Sequence, residues 1–219
     1  MQDYPNNTRK IDPLLPEEHI IAQAADMLRE GGIVVFPTTC LYGMAADAFN
    51  PEAVNAVFRI KNRLPDNPLL ILIQDKTVLK DVAETVPPDA IKLMDRFWPG
   101  KITIILKASS DIPDNLTGGT GKIGVRIPGH PVATALVNSF KHPITGTSAN
   151  ISTRPGCADI ASLSPEIKNR AGLILDAGPL KGGSGSTVID VSEKPYRLIR
   201  EGAISKIELA NFLKTDLAE

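Results

Sequence analysis

The hydrophobic residues of this chain recur at two spacings, which are typical of amphipathic helices and of buried strands. The clearest helical spacing lies within residues 16–30, where Ile21, Ala24, Ala25 and Leu28 fall at i, i+3, i+4 and i+7. A proline and two glutamates open this segment and two glycines follow it, as expected at helix ends. We therefore predict a helix over this range.

A second helix is predicted to begin at Pro51. Asn50 is a favourable N-cap residue, and proline suits the first helical position because an N–H there would have no partner. Val54, Val57 and Phe58 place an apolar face on the turns that follow.

The remaining apolar segments predict three further helices and seven strands. The helices span 89–97, 131–140 and 205–213, and the strands span 33–36, 69–73, 102–106, 123–127, 173–175, 187–191 and 197–200. Helices and strands mix without strict alternation. This order favours an α/β or α+β fold with a twisted, partly antiparallel mixed sheet and helices packed on it.

Composition narrows the class of protein. With 219 residues and 42% hydrophobic content, the chain is typical of one globular domain with a substantial core. No apolar run approaches the roughly 20 residues that cross a bilayer, and the polar N-terminus resembles no signal peptide. Two cysteines, Cys40 and Cys157, are too few for a disulfide framework. We expect a cytoplasmic protein with no membrane partner.

The formal net charge of −1 limits how this protein can bind anions. A protein that clamps long nucleic acid is usually more basic overall. Any anion site must therefore be a local concentration of lysine and arginine.

Two polar segments about ninety residues apart are the main candidates for a binding site. Lys61, Arg63 and Asn67 offer two cations and an amide to a polyphosphate. Ser148 and Asn150 offer a hydroxyl and an amide to the other polar groups of a nucleotide. Alone, the basic segment is more often a solvated loop, but the pair suggests an enzyme that grips ATP without a P-loop.

Several loops leave two interpretations open. Residues 37–43 follow a strand and either line a pocket or form a helix-capping turn with a buried tyrosine. The Gly-rich stretches 117–122 and 182–187 either cradle an anion or form flexible turns, and neither has Walker or Rossmann spacing.

Arg126 lies among apolar residues of a predicted strand, so its charge needs a partner. That partner is either a buried carboxylate or a bound anion, such as the carboxylate of a substrate. Arg200 has a similar setting, although the adjacent Glu201 offers it a simpler pairing.

No covalent or metal-dependent site is indicated by the residue pattern. The three histidines bring no supporting signature to Cys40, and Ser148 has no nucleophile elbow. No carboxylate pair or metal-ligand spacing stands out, so we identify no protein side chain as a metal ligand.

Taken together, these segments resemble the YrdC-type family, the threonylcarbamoyl-adenylate synthases. The hallmarks are a Lys-x-Arg pair at Lys61 and Arg63 and a Ser-x-Asn pair at Ser148 and Asn150. Other ordered matches are Gly31-Gly32, Pro37-Thr38, Tyr42-Gly43, Asn67-Pro68-Leu69, Trp98-Pro99-Gly100, Val125-Arg126, His130-Pro131, Ser186-Thr187, and Arg200 with Gly202. The resemblance covers about residues 11–207. It implies one YrdC-like domain over residues 1–219, with an open basic concave face.

The resemblance implies a reaction that joins L-threonine, bicarbonate (or CO2) and ATP into threonylcarbamoyl-AMP and pyrophosphate, usually with Mg²⁺. A separate tRNA threonylcarbamoyl transferase complex would use the product, and direct RNA contact is a further expectation. The implied catalytic residues are Lys61, Arg63, Ser148 and Asn150. The implied ATP-binding residues are Lys61, Arg63, Asn67, Lys122, Ser148, Asn150, Gly156 and Arg200. The implied threonine-binding residues are Thr38, Cys40, Arg126, Gly146 and Ser186.

Two positions depart from the pattern of some members. Cys40 stands where those members have a second threonine, and Leu72 stands where they have a substrate-facing histidine. We also expect no counterpart of the extra C-terminal domain that longer members carry. Two alternatives remain: an RNA-binding module without synthase activity, and a carbamoyl-adenylate domain like those of hydrogenase-maturation proteins. The small size and the missing zinc-finger cysteines argue against the latter.

Overall fold

Strand-forming segments between residues 7 and 218, the part of the chain described by this computed structural model, build two mixed sheets. The strands are β1 (Thr8–Lys10), β2 (Val34–Pro37), β3 (Tyr42–Ala45), β4 (Leu70–Leu72), β5 (Ile102–Lys107), β6 (Lys122–Arg126), β7 (Ile144–Thr145), β8 (Thr147–Ser148), β9 (Leu173–Asp176), β10 (Thr187–Asp190) and β11 (Arg197–Arg200). The prediction about the polar N-terminus concerns residues that lie almost wholly outside the described range.

Helices occupy the segments between many of these strands. They are α1 (Glu18–Arg29), α2 (Pro51–Lys61), α3 (Leu79–Val82), α4 (Pro88–Phe97), α5 (Asp114–Thr117), α6 (Pro131–Phe140), α7 (Pro165–Arg170) and α8 (Lys206–Leu213). Within residues 7–218, none of them has the length and apolar character needed to traverse a bilayer.

The five-stranded sheet has the order β1-β9-β2-β3-β8. Its β1, β9 and β2 run parallel, whereas β3 is antiparallel to both β2 and β8. Helices α1 and α6 pack together, and their apolar sides join buried residues of β2 and β9 in one hydrophobic cluster. Leu28, Phe36 and Leu136 are fully buried there.

The six-stranded sheet has the order β11-β10-β5-β6-β4-β7 and separates the core from the candidate site. Because successive side chains of a strand point to opposite faces, one face can be apolar and the other polar. Ile104, Val125 and Ile189 are buried in the larger hydrophobic cluster. The neighbouring residues Thr103 and Arg126 line a cavity on the other face.

The chain crosses from one sheet to the other at Gly146. The preceding β7 pairs with β4 in the six-stranded sheet, and the following β8 pairs with β3 in the five-stranded sheet. A Cβ atom at Gly146 would lie 2.6 Å from Leu70 Cδ1 and 2.8 Å from Leu72 Cγ. A larger residue at this crossing would force Leu70 and Leu72 to shift, so the crossing favours glycine. It brings Ser148 to the cavity.

The predicted fold class is confirmed, but the sequence pattern suggested one sheet where the structure has two. The predicted helix start at Pro51 is confirmed, since the Asn50 side chain accepts hydrogen bonds from Glu52 N at 3.0 Å and Ala53 N at 3.2 Å. The helix-capping part of the second interpretation of residues 37–43 is wrong, because this segment contains the turn between β2 and β3. The expected burial of its tyrosine is confirmed, since Tyr42 is fully buried. Strands β1, β3, β7 and β8 and helices α3, α5 and α7 were not predicted. These elements are short and depend on pairing or packing with distant segments.

Candidate functional site

A cavity of about 550 Å³ lies against the polar face of the six-stranded sheet. Strands β4, β5, β6, β10 and β11 form its floor, and the β2–β3 turn, the segment after α2 and β8 contribute to its walls. This volume is typical of sites that bind small molecules and cofactors.

Most of the site residues predicted from sequence meet in this cavity, although many residues separate them along the chain. Those that line it are Thr38, Cys40, Arg63, Asn67, Lys122, Arg126, Gly146, Ser148, Ser186 and Arg200. The predicted residues that do not line it are Lys61, Asn150 and Gly156. Leu72, at the position of a substrate-facing histidine in some relatives, is fully buried in the hydrophobic cluster beneath α1 and α6.

The lining carries an excess of positive charge. Lys122 Nζ donates to Asp190 Oδ2 at 2.9 Å, so one of the four cations is neutralised. Arg63, Arg126 and Arg200 form no ion pair with any carboxylate of residues 7–218. Three unmatched guanidinium groups around one cavity favour a ligand with several negative charges.

Arg126 is the least satisfied of these cations. Its Nε is buried without a hydrogen-bond partner among the described residues. Burial, followed by the nearby charge of Arg200, lowers the pKa of Arg126 to about 10, so it stays charged at neutral pH. The structure shows no carboxylate partner in the described range, and the bound-anion interpretation is the one it supports.

Arg63 and Arg200 are held differently, by backbone carbonyl groups. Arg63 donates from Nε to Asn67 O at 3.0 Å and from Nη2 to Pro68 O at 2.9 Å. Arg200 donates from Nε and Nη2 to Ser186 O at 3.2 and 2.8 Å. Burial lowers the pKa of both groups. Each guanidinium is thus oriented in advance, with further N–H groups left for a ligand.

The simpler pairing of Arg200 with Glu201 is not observed. Glu201 Oε2 instead accepts a hydrogen bond from Lys206 N at 3.2 Å.

Lys61, the last residue of α2, lies behind the cavity wall with only 1% of its surface exposed. Its Nζ donates to Ser148 O, to Asn150 O at 2.8 Å and to Asn150 Oδ1 at 3.3 Å. Burial, with a smaller contribution from the charge of Arg63, lowers the pKa of Lys61 to about 7. The structure therefore connects the two signature segments directly, through an ammonium group that faces the protein.

Ser186 and Cys40 line the same cavity as Arg126. Ser186 is 4% exposed, and its Oγ is 2.8 Å from Thr103 Oγ1.

Gly182 N donates to Cys40 O at 2.9 Å, so the second Gly-rich loop packs against the β2–β3 turn. In the first Gly-rich stretch, Gly118 caps α5 in the left-handed conformation, which accounts for that glycine without a ligand.

Sequence reasoning missed Thr103, Thr120 and Asp190, which also line the cavity. Thr103 and Asp190 occupy alternate positions of β5 and β10, in phase with other cavity-facing residues. The two-residue period of a strand could have identified them once one cavity-facing residue was known.

The residues described contain no group of three or more metal-ligating side chains. Asp190, the one carboxylate of this lining, also accepts hydrogen bonds from Ser192 N at 2.9 Å and Ser192 Oγ at 2.6 Å. Burial raises the pKa of Asp190, but the hydrogen bonds from Ser192 and Lys122 outweigh this and leave it lowered. This carboxylate is already committed to protein donors, so the donor set does not favour a resident metal.

The two sheets and the cationic cavity between them define an α/β protein built to bind a small anionic ligand. Residues 26–202 match the Sua5/YciO/YrdC family model, whose description reads "Telomere recombination". The chain belongs to this family, and the resemblance drawn from its sequence is confirmed.

Two relatives and one solved structure illustrate the similarity. The chain is 38% identical over 193 residues to a threonylcarbamoyl-AMP synthase of Pyrococcus abyssi, covering 88% of this chain and 57% of that protein. It is 37% identical over 199 residues to a threonylcarbamoyl-AMP synthase of Bacillus subtilis, covering 90% and 58%. The crystal structure of P. abyssi Sua5 complexed with L-threonine superposes with a TM-score of 0.91 at 34% identity, covering 97% of this chain and 62% of that one. The chain thus spans less than two thirds of the length of each.

Proposed function

We propose that this protein is a threonylcarbamoyl-AMP synthase, which makes threonylcarbamoyl-AMP and pyrophosphate from L-threonine, bicarbonate and ATP. The observation that carries the proposal is the set of three arginines that face one cavity without a carboxylate partner in the described residues. The names of the similar proteins and the L-threonine of the similar crystal structure support the choice of substrates.

The chemistry suits a site without a protein nucleophile. The amine of threonine adds to CO2 and loses a proton, which gives a carbamate. A carbamate oxygen attacks the α-phosphorus of ATP, a new P–O bond forms, and the bond from that phosphorus to the bridging oxygen breaks as pyrophosphate leaves. The protein must bring the reactants together and stabilise the negative charge on the phosphoryl and leaving groups. Mg²⁺ would enter as the complex with ATP, on phosphate oxygens.

We assign Arg126 to the carboxylate of threonine, because its Nε is buried without a partner among the described residues, in the cavity that Ser186 and Thr103 also line. Arg63 and Arg200 are assigned to phosphate oxygens, since the backbone carbonyls that hold them leave further donors of each fork free to contact a ligand. Cys40 lines the same cavity and is assigned to packing against threonine rather than to covalent chemistry.

The product would pass to a tRNA threonylcarbamoyl transferase complex in the cytoplasm. The alternative of an RNA-binding module without synthase activity is not favoured, because the unmatched arginines converge on a cavity sized for small molecules.

The test is to incubate the protein with ATP, Mg²⁺, bicarbonate and each amino acid in turn. We expect threonine-dependent release of pyrophosphate and a mass that corresponds to threonylcarbamoyl-AMP. Omission of bicarbonate should abolish both signals. Pyrophosphate release that does not depend on any amino acid, or an adenylate that lacks the carbamoyl group, would contradict the proposal.

A further inference from the structure

Three side chains of the two signature segments form one hydrogen-bonded network at the cavity wall. Lys61 Nζ donates to Ser148 O, Asn150 O and Asn150 Oδ1. Ser148 lines the cavity, whereas Lys61 and Asn150 do not. The network therefore reaches the ligand through Ser148.

The amide of Asn150 has one orientation that satisfies its neighbours. Its Nδ2 donates to Ile151 O at 3.0 Å and to Arg154 O at 2.5 Å, and both of these oxygens can only accept. Its Oδ1 faces the ammonium of Lys61, which can only donate. A flipped amide would place donor against donor and acceptor against acceptor.

This orientation determines what Ser148 offers to the cavity. Ser148 Oγ lies within hydrogen-bonding distance of Asn150 Oδ1, which has no hydrogen to give. The hydroxyl must therefore donate its single hydrogen to Asn150, and only its lone pairs remain for a ligand. A phosphate oxygen needs a donor, so it is a poor partner for Ser148, whereas a ligand hydroxyl or amine is a suitable one.

We propose that Lys61 is a positioning residue and that, through Asn150, it presents the Ser148 hydroxyl as an acceptor for a hydroxyl or amine of a substrate. Ser148 then recognises the ribose of ATP or the polar groups of threonine, and the phosphates are left to the arginines. This inference rests on the proposed function for the identity of the substrates.

The test compares wild type with Ser148→Ala by calorimetric titration in the presence of Mg²⁺. The ligands are ATP, 2′-deoxy-ATP, 3′-deoxy-ATP, inorganic tripolyphosphate and L-threonine. We expect Ser148→Ala to weaken binding of the ligand that carries the donor about fivefold to tenfold and to leave tripolyphosphate within twofold. If a ribose hydroxyl is the donor, the deoxynucleotide that lacks this hydroxyl should bind wild type and Ser148→Ala with equal affinity. If threonine is the donor, Ser148→Ala should weaken the binding of threonine alone. An equal loss for ATP and tripolyphosphate would identify a phosphate contact and overturn the inference, as would unchanged binding of every ligand.

A second comparison isolates the role of Lys61. Lys61→Met should reproduce the Ser148→Ala pattern, including the unchanged affinity for tripolyphosphate, and the double variant should lose little more than either single one. A selective loss of tripolyphosphate binding would instead make Lys61 a phosphate ligand. Should Lys61→Met fail to fold, Asn150→Ala carries the same test, because it removes the acceptor that orders Ser148.

These outcomes separate the inference from the proposed function. Wild-type protein that binds neither ATP nor threonine would contradict both. If wild-type protein binds both, but the variants lose affinity for tripolyphosphate as strongly as for ATP, the inference alone is contradicted.

Discussion

Arg63 on the loop wall and Arg126 on the sheet floor hold their positive charges in opposite ways. On the wall, Arg63 and Lys61 donate to backbone carbonyl groups of neighbouring loops. On the floor, Arg126 projects from a strand with its Nε unpartnered among the described residues. Arg63 is thus oriented before any ligand arrives, whereas Arg126 gains a partner only from a ligand that brings negative charge.

The largest expected effect comes from the wall. Arg63→Ala should reduce synthesis about 100- to 1,000-fold, the range found when one charge-stabilising donor is removed from an active site. Initial rates of pyrophosphate release measure this, and replacement of Arg59, an exposed arginine of the preceding helix α2, by Ala is the matched control. A folded Arg63→Ala protein with near-normal turnover would remove Arg63 from the site.

Replacement of Arg126 on the floor should have a different effect. Arg126→Met should raise the KM for threonine at least tenfold, while the melting temperature stays the same or rises, because an unmatched buried charge is removed. Arg63→Ala, in contrast, also removes two hydrogen bonds from the folded protein. Thermal unfolding without ligand measures the melting temperatures of the two variants. A melting temperature that falls clearly for Arg126→Met but not for Arg63→Ala would contradict the proposed difference between the two arginines.

Gly146 joins the two regions, so a substitution there should disturb both. Gly146→Ala places a Cβ against Leu70 and Leu72 and should cost about 1–3 kcal/mol of unfolding free energy. Gly119→Ala is a useful control, because a Cβ there meets no atom within 4 Å, although its positive φ of 73° adds some strain. Chemical denaturation measures both variants, and equal stability of Gly146→Ala and wild type would mean that the crossing can relax.

The smallest effect should be a pH dependence of ligand affinity at the wall. Burial and the charge of Arg63 lower the pKa of Lys61 to about 7, and a neutral amine has two hydrogens for three acceptors. We therefore expect affinity for the ligand that contacts Ser148 to fall a few-fold as the pH rises above 7. Lys61→Met should lack this decline.

The contribution of Lys61 to global stability should change in the opposite direction. Between the folded pKa of about 7 and the ordinary value of 10.5, the unfolded chain binds a proton that the folded chain lacks. The free energy of unfolding of wild type, measured relative to Lys61→Met, should therefore rise across this window. If this difference in unfolding free energy does not change with pH, Lys61 stays protonated in the folded protein.

Local signals in the sequence were sufficient for much of the framework. Asn50 and Pro51 predict the start of α2, and the observed cap confirms it, because capping involves residues two or three positions apart. The spacing of apolar residues likewise predicted α1, α4 and α6 and most of the longer strands. The charge of Arg126 in an apolar strand indicated a residue that needs a partner, and the structure supplies no carboxylate in residues 7–218. The extent of the single domain and the roles assigned to individual residues stay predictions.

The tertiary structure alone decided how these parts meet. Lys61 and Asn150 are 89 positions apart, and Thr103 and Ser186 are 83 apart, so no local pattern could show that their side chains are in contact. The family resemblance implied that Lys61 binds ATP, in keeping with the suitability of two cations on one loop for a polyphosphate. The fold buries its ammonium behind the wall, because the carbonyl groups of Ser148 and Asn150 are brought to the end of α2. Burial and hydrogen-bond partners depend on contacts between distant segments, which the chain acquires only when both sheets have formed.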